Sequence, residues 1–232
     1  VLETQGTIIR LAPPMPLHRS GSVILAGGES SRMGSPKALL KVPTISNMGL
    51  TIHHDKLVSL LEFHVQETFS AKSPVLIADN GKNFLNNECY LTNSFIKAIP
   101  DYIPNAGALS AITSAMQYLI QHEQNISLNS YVLVLSCDSL VHALSLSQIF
   151  IHQSKKQQAY YLKDDKQKAY PLLGAYRLDL LPLLEAYLES GERKVMKFLM
   201  SIDSKALPMP KEWHNLANFN NKNEFELALQ YL

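Results

Sequence analysis

The stretch SYVLVLSCDS, Ser130 to Ser139, constrains the fold more than any other part of the chain. Five apolar residues follow one another from Tyr131 to Leu135, and small and polar residues end the run. A strand that is apolar on both faces must be covered on both faces. Two further short apolar runs, SVILAGG from Ser22 and SPVLIADNG from Ser73, have the same character, and SFIKAIPD reads as a third. Between them lie segments with helical spacing. HHDKLVSLLEFHVQETF places Leu57, Leu60, Leu61, His64/Val65 and Phe69 on one stripe, and ALSAITSAMQYLIQHEQ is amphipathic in the same way. Helices are also expected in SLSQIFIHQSKK, DLLPLLEAYLESG, ERKVMKFLMSID and FNNKNEFELALQYL, and strands in QAYYLKD and AYPLLGAYRL. Apolar strands alternating with helices imply an α/β fold with a mostly parallel sheet.

Ligands of such sheets bind beyond the carboxyl ends of the strands. The strand ends therefore form a search list: Gly27 and Gly28, then Asp79 and Asn80, then Asp101, then Asp138. Composition narrows the partners. A hydrophobic content of 46% and 232 residues suffice for one sizeable core, read as a single domain over 21–232 behind a Pro-rich lead-in over 1–20. The net charge of +1 provides no basic field for nucleic acid. No apolar run approaches the roughly 20 residues of a membrane helix. Cys89 and Cys137 lie in different elements, which favours a reduced, cytoplasmic protein.

The first strand end is the most informative. In SVILAGGESSRMGSPKALLK the glycines permit close approach of backbone amides to anionic oxygens, while Arg32 and Lys37 add charge. No Gly-Lys-Ser/Thr follows, so this is not a Walker loop. Leu25, Ala26, Gly27, Gly28, Arg32, Met33, Gly34 and Lys37 instead resemble the signature loop of nucleotidyltransferases that attach a nucleoside monophosphate to a sugar phosphate or pterin. Downstream, Gly191 to Met196 is similar to the Gly-Glu-Arg-(Arg/Lys)-Val-Met segment of the molybdenum cofactor guanylyltransferase family. Cys137 and Asp138 resemble that family's Cys-Asp-Thr-Pro. FNNKNEFELA is similar to its Phe-x-Asn-x-Asn-Thr-Pro-Glu segment, with Phe219, Asn221 and Asn223 matching and Glu224 in place of Thr. The likeness runs from about Ser22 to the C-terminus and is poor over KVPTISNMGLTIHHDK.

The resemblance implies a three-layer, Rossmann-like nucleotidyltransferase fold whose nucleotide half spans about 21–140 and whose pterin half spans about 141–232. It implies GMP transfer from GTP to molybdopterin with Mg²⁺, in a monomer that serves a molybdoenzyme or its chaperone. On the same resemblance Arg32, Lys37 and Asp138 are catalytic, and Asp138 holds the metal. Leu25, Ala26, Gly27, Gly28, Lys37, Asn80, Asp101 and Gly107 hold the nucleotide, and Arg193, Lys194, Asn221 and Asn223 the pterin. Each has a plainer alternative: Asp138, Asp101 and Asn80 as turn residues, Arg193 and Lys194 as a solvated helix start, and the two asparagines as a helix cap.

Departures stand beside the matches. GALSA replaces Gly-Pro-Leu-Ala-Gly, CDSL lacks the proline, Tyr170 stands in place of a His, and Ala78 occupies the position of an Asn. They keep open a CTP-dependent relative and a non-catalytic nucleotide-binding or cofactor-binding domain. His53 and His54 lack ligand-spaced partners, and His64, Trp213, Tyr160 and Tyr161 read as packing residues.

Overall fold

The computed structural model describes residues 19–28, 33–45, 52–69, 73–85, 90, 92–154 and 156–232. Arg32, Cys89 and all but the last two residues of the lead-in lie outside them. Its centre is a seven-stranded sheet in the order β5-β4-β1-β6-β8-β7-β9. These strands are β1 (Arg19–Leu25), β4 (Val75–Ala78), β5 (Ile96–Ala98), β6 (Tyr131–Ser136), β7 (Ala159–Lys163), β8 (Ala169–Arg177) and β9 (Ser204–Pro208). β5, β4, β1 and β6 are parallel to one another, β8 is antiparallel to both β6 and β7, and β9 is parallel to β7.

Helices cover both faces, giving the three layers. One face carries α1 (Leu60–Phe69), α3 (Ala143–Ile151) and α6 (Lys222–Leu229), and the other α2 (Ala108–His122), α4 (Leu181–Glu189) and α5 (Val195–Met200). β6 shows why its sequence is apolar throughout. Tyr131, Leu133 and Leu135 enter the first core, while Val132 and Val134 enter the second. Gly174 lets β8 pass close to β7, since a Cβ there would lie 2.7 Å from the Tyr160 carbonyl oxygen.

The helix expected from His53 begins only at Leu60. Residues Ile52–Ser59 form β3, which pairs antiparallel with β2 (Lys41–Ile45) in a separate two-stranded sheet. The register Val42↔Val58 buries both valines, so tertiary pairing overrides the helical stripe. The helix start is a capping box. Ser59 Oγ accepts from the Glu62 amide at 3.2 Å, and Glu62 Oε2 accepts from the Ser59 amide at 3.0 Å. β9, whose sequence SKALP is half polar, was not among the expected strands. Trp213 and Tyr161 pack at the margins of the cores, Tyr160 is fully buried, and no described helix is long and apolar enough to cross a membrane.

Candidate active site

The neighbours of β1 explain where a cleft forms. The chain leaves β1 for β4 on one side and later returns to β6 on the other, so the loops beyond these ends diverge. Leu25 pairs with Ala78 and with Ser136, which aligns the three strand ends. The Ala26 amide donates to Ala78 O at 2.8 Å and the Cys137 amide to Leu25 O at 3.1 Å, so the alignment continues into the loops.

A cleft of about 340 Å³ opens there, within the roughly 300–1,000 Å³ of small-molecule sites. Leu25, Gly27, Gly28, Asn80, Asp101, Gly107 and Asp138 line it. A smaller recess of about 100 Å³ adjoins it, lined by Ala26, Gly28, Lys37, Cys137 and Asp138 among others. The expected nucleotide residues therefore converge on one place. Asn80 has φ 56° and donates through Nδ2 to Gly27 O at 3.3 Å. A Cβ at Gly27 would lie 2.8 Å from that nitrogen, so a larger residue here would displace the Asn80 side chain. Asp79 is a turn residue: its buried carboxylate accepts from the amides of Gly81 and Phe84, each at 3.0 Å. Asp101 is partly buried at the cleft wall, and this burial raises its carboxyl above the usual range.

Gly107 is the N-cap of α2 at φ 81°, with no side-chain cap and no acidic residue in the first turn. Ala108 and Ala111 face the cleft, so the positive end of a 15-residue helix is open to an anion there. The methyl groups of GALSA thus occupy the cleft wall.

Lys37 follows Pro36 in a short 3-10 helix, and its Nζ donates to Phe219 O at 2.7 Å. The same nitrogen is 3.7 Å from Asp138 Oδ2 and 5.7 Å from the Phe219 ring centroid. Asn218 Nδ2 donates to Asp138 Oδ2 at 2.9 Å, and the Phe219 amide donates to Asp138 O at 2.8 Å. The segment at 218–219 therefore joins the two expected catalytic groups. Asn218 was not foreseen. Nor were Asn105, which lines the cleft, and Lys82, whose Nζ reaches Gly27 O at 3.0 Å.

Asn221 is the N-cap of α6, accepting from the Glu224 amide at 3.0 Å, which is the plainer role open to it. Asn223 is exposed on α6, and neither it nor Asn221 lines the two cavities, whereas Asn218 meets Asp138 and Asn220 Nδ2 donates to Asn218 Oδ1 at 2.9 Å. Arg193 and Lys194 line neither cavity. Arg193 Nη1 donates to the carbonyls of Leu188 and Glu192 at 2.6 Å each, and Lys194 is the N-cap of α5.

Among the described residues no group of three His, Cys, Asp or Glu side chains gathers as a metal cage. One partly exposed carboxylate beside an anion-ready cleft suits Mg²⁺, which takes one or two carboxylates and completes its shell with phosphate and water.

Residues 22–205 match the family model described as MobA-like NTP transferase domain. A probable molybdenum cofactor guanylyltransferase of Flavobacterium johnsoniae is 26% identical over 87% of this chain and 92% of its own. The molybdenum cofactor guanylyltransferase of Yersinia pseudotuberculosis is 28% identical over 88% and 92%. The crystal structure of the molybdopterin-guanine dinucleotide biosynthesis protein A of Archaeoglobus fulgidus superposes with a TM-score of 0.64 at 18% identity, covering 90% of this chain and 97% of that one. The 2-C-methyl-D-erythritol 4-phosphate cytidylyltransferase of Francisella tularensis superposes at 0.60 with 11% identity, covering 92% and 100%.

Proposed function

From a chain that belongs to the MobA-like NTP transferase family, we propose a molybdenum cofactor guanylyltransferase that transfers GMP from GTP to molybdopterin. An oxygen of the acceptor's terminal phosphate bonds to the α-phosphorus, the α–β P–O bond breaks, and pyrophosphate leaves. The observation that carries the reading is the Lys37–Asp138 pair, 3.7 Å apart at the mouth of the cleft between β1 and β6.

The roles follow from charge. Two polyanions must meet, so neutralisation and in-line alignment supply most of the catalysis. The amides of the glycine loop and the open N-terminus of α2 attract phosphate oxygens. Lys37 offsets charge on the triphosphate, and Arg32 adds a second cation from the same loop. Asp138 would hold Mg²⁺, which when bound would supply positive charge against the phosphates. Asn218 fixes the carboxylate rotamer through Oδ2.

For the base, Asp101 provides an acceptor for the guanine N1–H and N2–H₂ edge, and Asn80 and Asn105 provide amide donors for O6. The pterin occupies the half built from residues 141–232, where Leu172 of β8 lines the common cleft. Arg193 and Lys194 are the cations of that half for its phosphate, and Arg193 would first give up its contacts with the Leu188 and Glu192 carbonyls.

A second reading, transfer of CMP from CTP to the same acceptor, is favoured by Ala78, which puts a methyl group where the guanylyltransferases have an Asn. Calorimetric titration with GTP, CTP, ATP and UTP, each with Mg²⁺, separates the two. GTP alone should bind. Preference for CTP would replace the guanine reading. Binding of none, with the pterin present as well, would leave a domain that has lost catalysis.

A further inference from the structure

We infer that His64 is a positioning residue for the reaction, holding the turn that carries Asp138 at a fixed place relative to Lys37. This rests on the reading of Asp138 as an active-site carboxylate.

His64 lies in α1 and is 0% exposed, and its Nε2 is 2.9 Å from Ser139 O. A carbonyl only accepts, so Nε2 carries the proton and Nδ1 is the bare nitrogen. Nδ1 is buried and has no hydrogen-bond partner among the described residues. An unpaired buried nitrogen is a destabilising choice at a core position, and an aliphatic side chain would fill the space without that loss. What the imidazole does that a leucine cannot is donate to the residue directly after Asp138.

The surroundings turn this bond into a spacing device. The first turn of α1 holds the Lys37 segment, because the Leu60 amide donates to Leu40 O at 2.7 Å. The next turn holds Ser139 through His64. The turn after that holds the start of α3, with Glu67 Oε2 3.2 Å from His142 Nδ1 and the Phe63 ring against the His142 ring. One rigid helix thus touches both segments that supply the Lys37–Asp138 pair. On the opposite side the Asp138 turn is tied to the 216–219 segment, by the Leu140 amide to Leu216 O at 2.8 Å and the Phe219 amide to Asp138 O at 2.8 Å. His64 closes the only side of that turn facing α1. Ser139 is itself 0% exposed, with its Oγ donating to Leu216 O and accepting from the Val141 amide, so water does not replace the imidazole.

The test compares His64→Leu, which removes the donor, with His64→Gln, whose terminal amide restores one at the Nε2 position, in the full chain. His64→Met serves as the donor-free variant if His64→Leu does not fold. Amide exchange is read by NMR at Leu140 and Phe219, with Val132 and Val134 as references. The donor-free variant should speed exchange at the first pair by about tenfold over the references, and His64→Gln should restore it. In turnover with GTP, Mg²⁺ and molybdopterin, the donor-free variant should lower kcat by about tenfold and leave the nucleotide KM within about threefold, again with recovery in His64→Gln. Equal exchange and equal kcat in all forms would overturn the inference. So would loss in His64→Gln as large as in the donor-free variant, since that marks a packing role. If the wild-type chain turns over no nucleotide, the transferase reading fails on its own, and the exchange pattern decides whether His64 fixes the turn.

Discussion

Acid should destabilise this protein through His64 in a defined window. Burial is the first cause that lowers the His64 pKa, from 6.5 to about 4, with the nearby His142 adding to it and the Ser139 carbonyl and Glu67 opposing. The sign follows from proton counts. Between pH 6.5 and about 4 the unfolded chain binds a proton at this imidazole and the folded chain does not. Unfolding is therefore favoured as pH falls through that range, and the contribution is flat above pH 7. The slope is one proton, about 1.4 kcal/mol per pH unit, and the full effect is roughly 3 kcal/mol. Against a total stability of about 5–15 kcal/mol this is a large share. Urea unfolding of wild type and His64→Gln should be measured at half-unit steps from pH 7.5 to 4.5. The difference between them isolates this imidazole from every other titrating group. It should be constant near pH 7, and wild type should lose about 2 kcal/mol relative to the variant by pH 5. A difference that does not change over that range would refute the buried, neutral imidazole and the argument built on it.

Three other predictions concern the cleft and the sheet. Lys37→Ala and Asp138→Ala should each lower kcat by at least about tenfold, because both act on charge that develops in the reaction, and wild-type turnover in both would remove the active-site assignment. Asn218→Ala takes the 2.9 Å donor from Asp138 Oδ2 and should raise the Mg²⁺ concentration needed for half-maximal activity by several-fold, with thermal unfolding little changed. Gly174→Ala forces a Cβ to 2.7 Å from the Tyr160 carbonyl oxygen and 3.1 Å from that of Pro171, so the melting temperature should drop by several degrees even though no cleft residue is touched.

Much of the molecule could be read from local signals. The apolar runs at Val23, Val75 and Val132 are strands because a two-faced buried strand has a plain sequence signature, and their ends brought Gly27, Asn80, Asp101 and Asp138 into one cleft. The signal at His53 to Ser59 failed because its apolar spacing suits a helix while its partner, Lys41–Ile45, is seen only in three dimensions. The capping box at Ser59 and Glu62 was available and marks the true helix start. Asn221 caps α6, the plainer alternative open to it, while Asn218 escaped notice because its partner Asp138 lies 80 residues away in sequence. His64 reads as a core residue from its stripe. Its partner lies 75 residues away, beyond the reach of periodicity or spacing.

The reversed direction of β8 divides the rim of the cleft by ancestry of its loops. On the β1, β4 and β5 side every wall segment follows a strand, so changing it alters what the nucleotide meets. Beside β6 the reversed β8 contributes Leu172 from within the strand, and the chain that follows the parallel β9 brings Asn218 and Phe219 onto Asp138. The β7–β8 hairpin turn at Asp164–Lys168 is held to itself, by the Lys168 amide on Asp164 Oδ1 at 2.8 Å and Tyr170 Oη on Asp164 Oδ2 at 3.1 Å, and to that following chain, with Asp165 Oδ1 3.9 Å from His214 Nδ1. A fold arranged in this way assigns the two walls of the cleft to different stretches of chain, so the wall after β9 can change while the loops after β1, β4 and β5 keep their sequence.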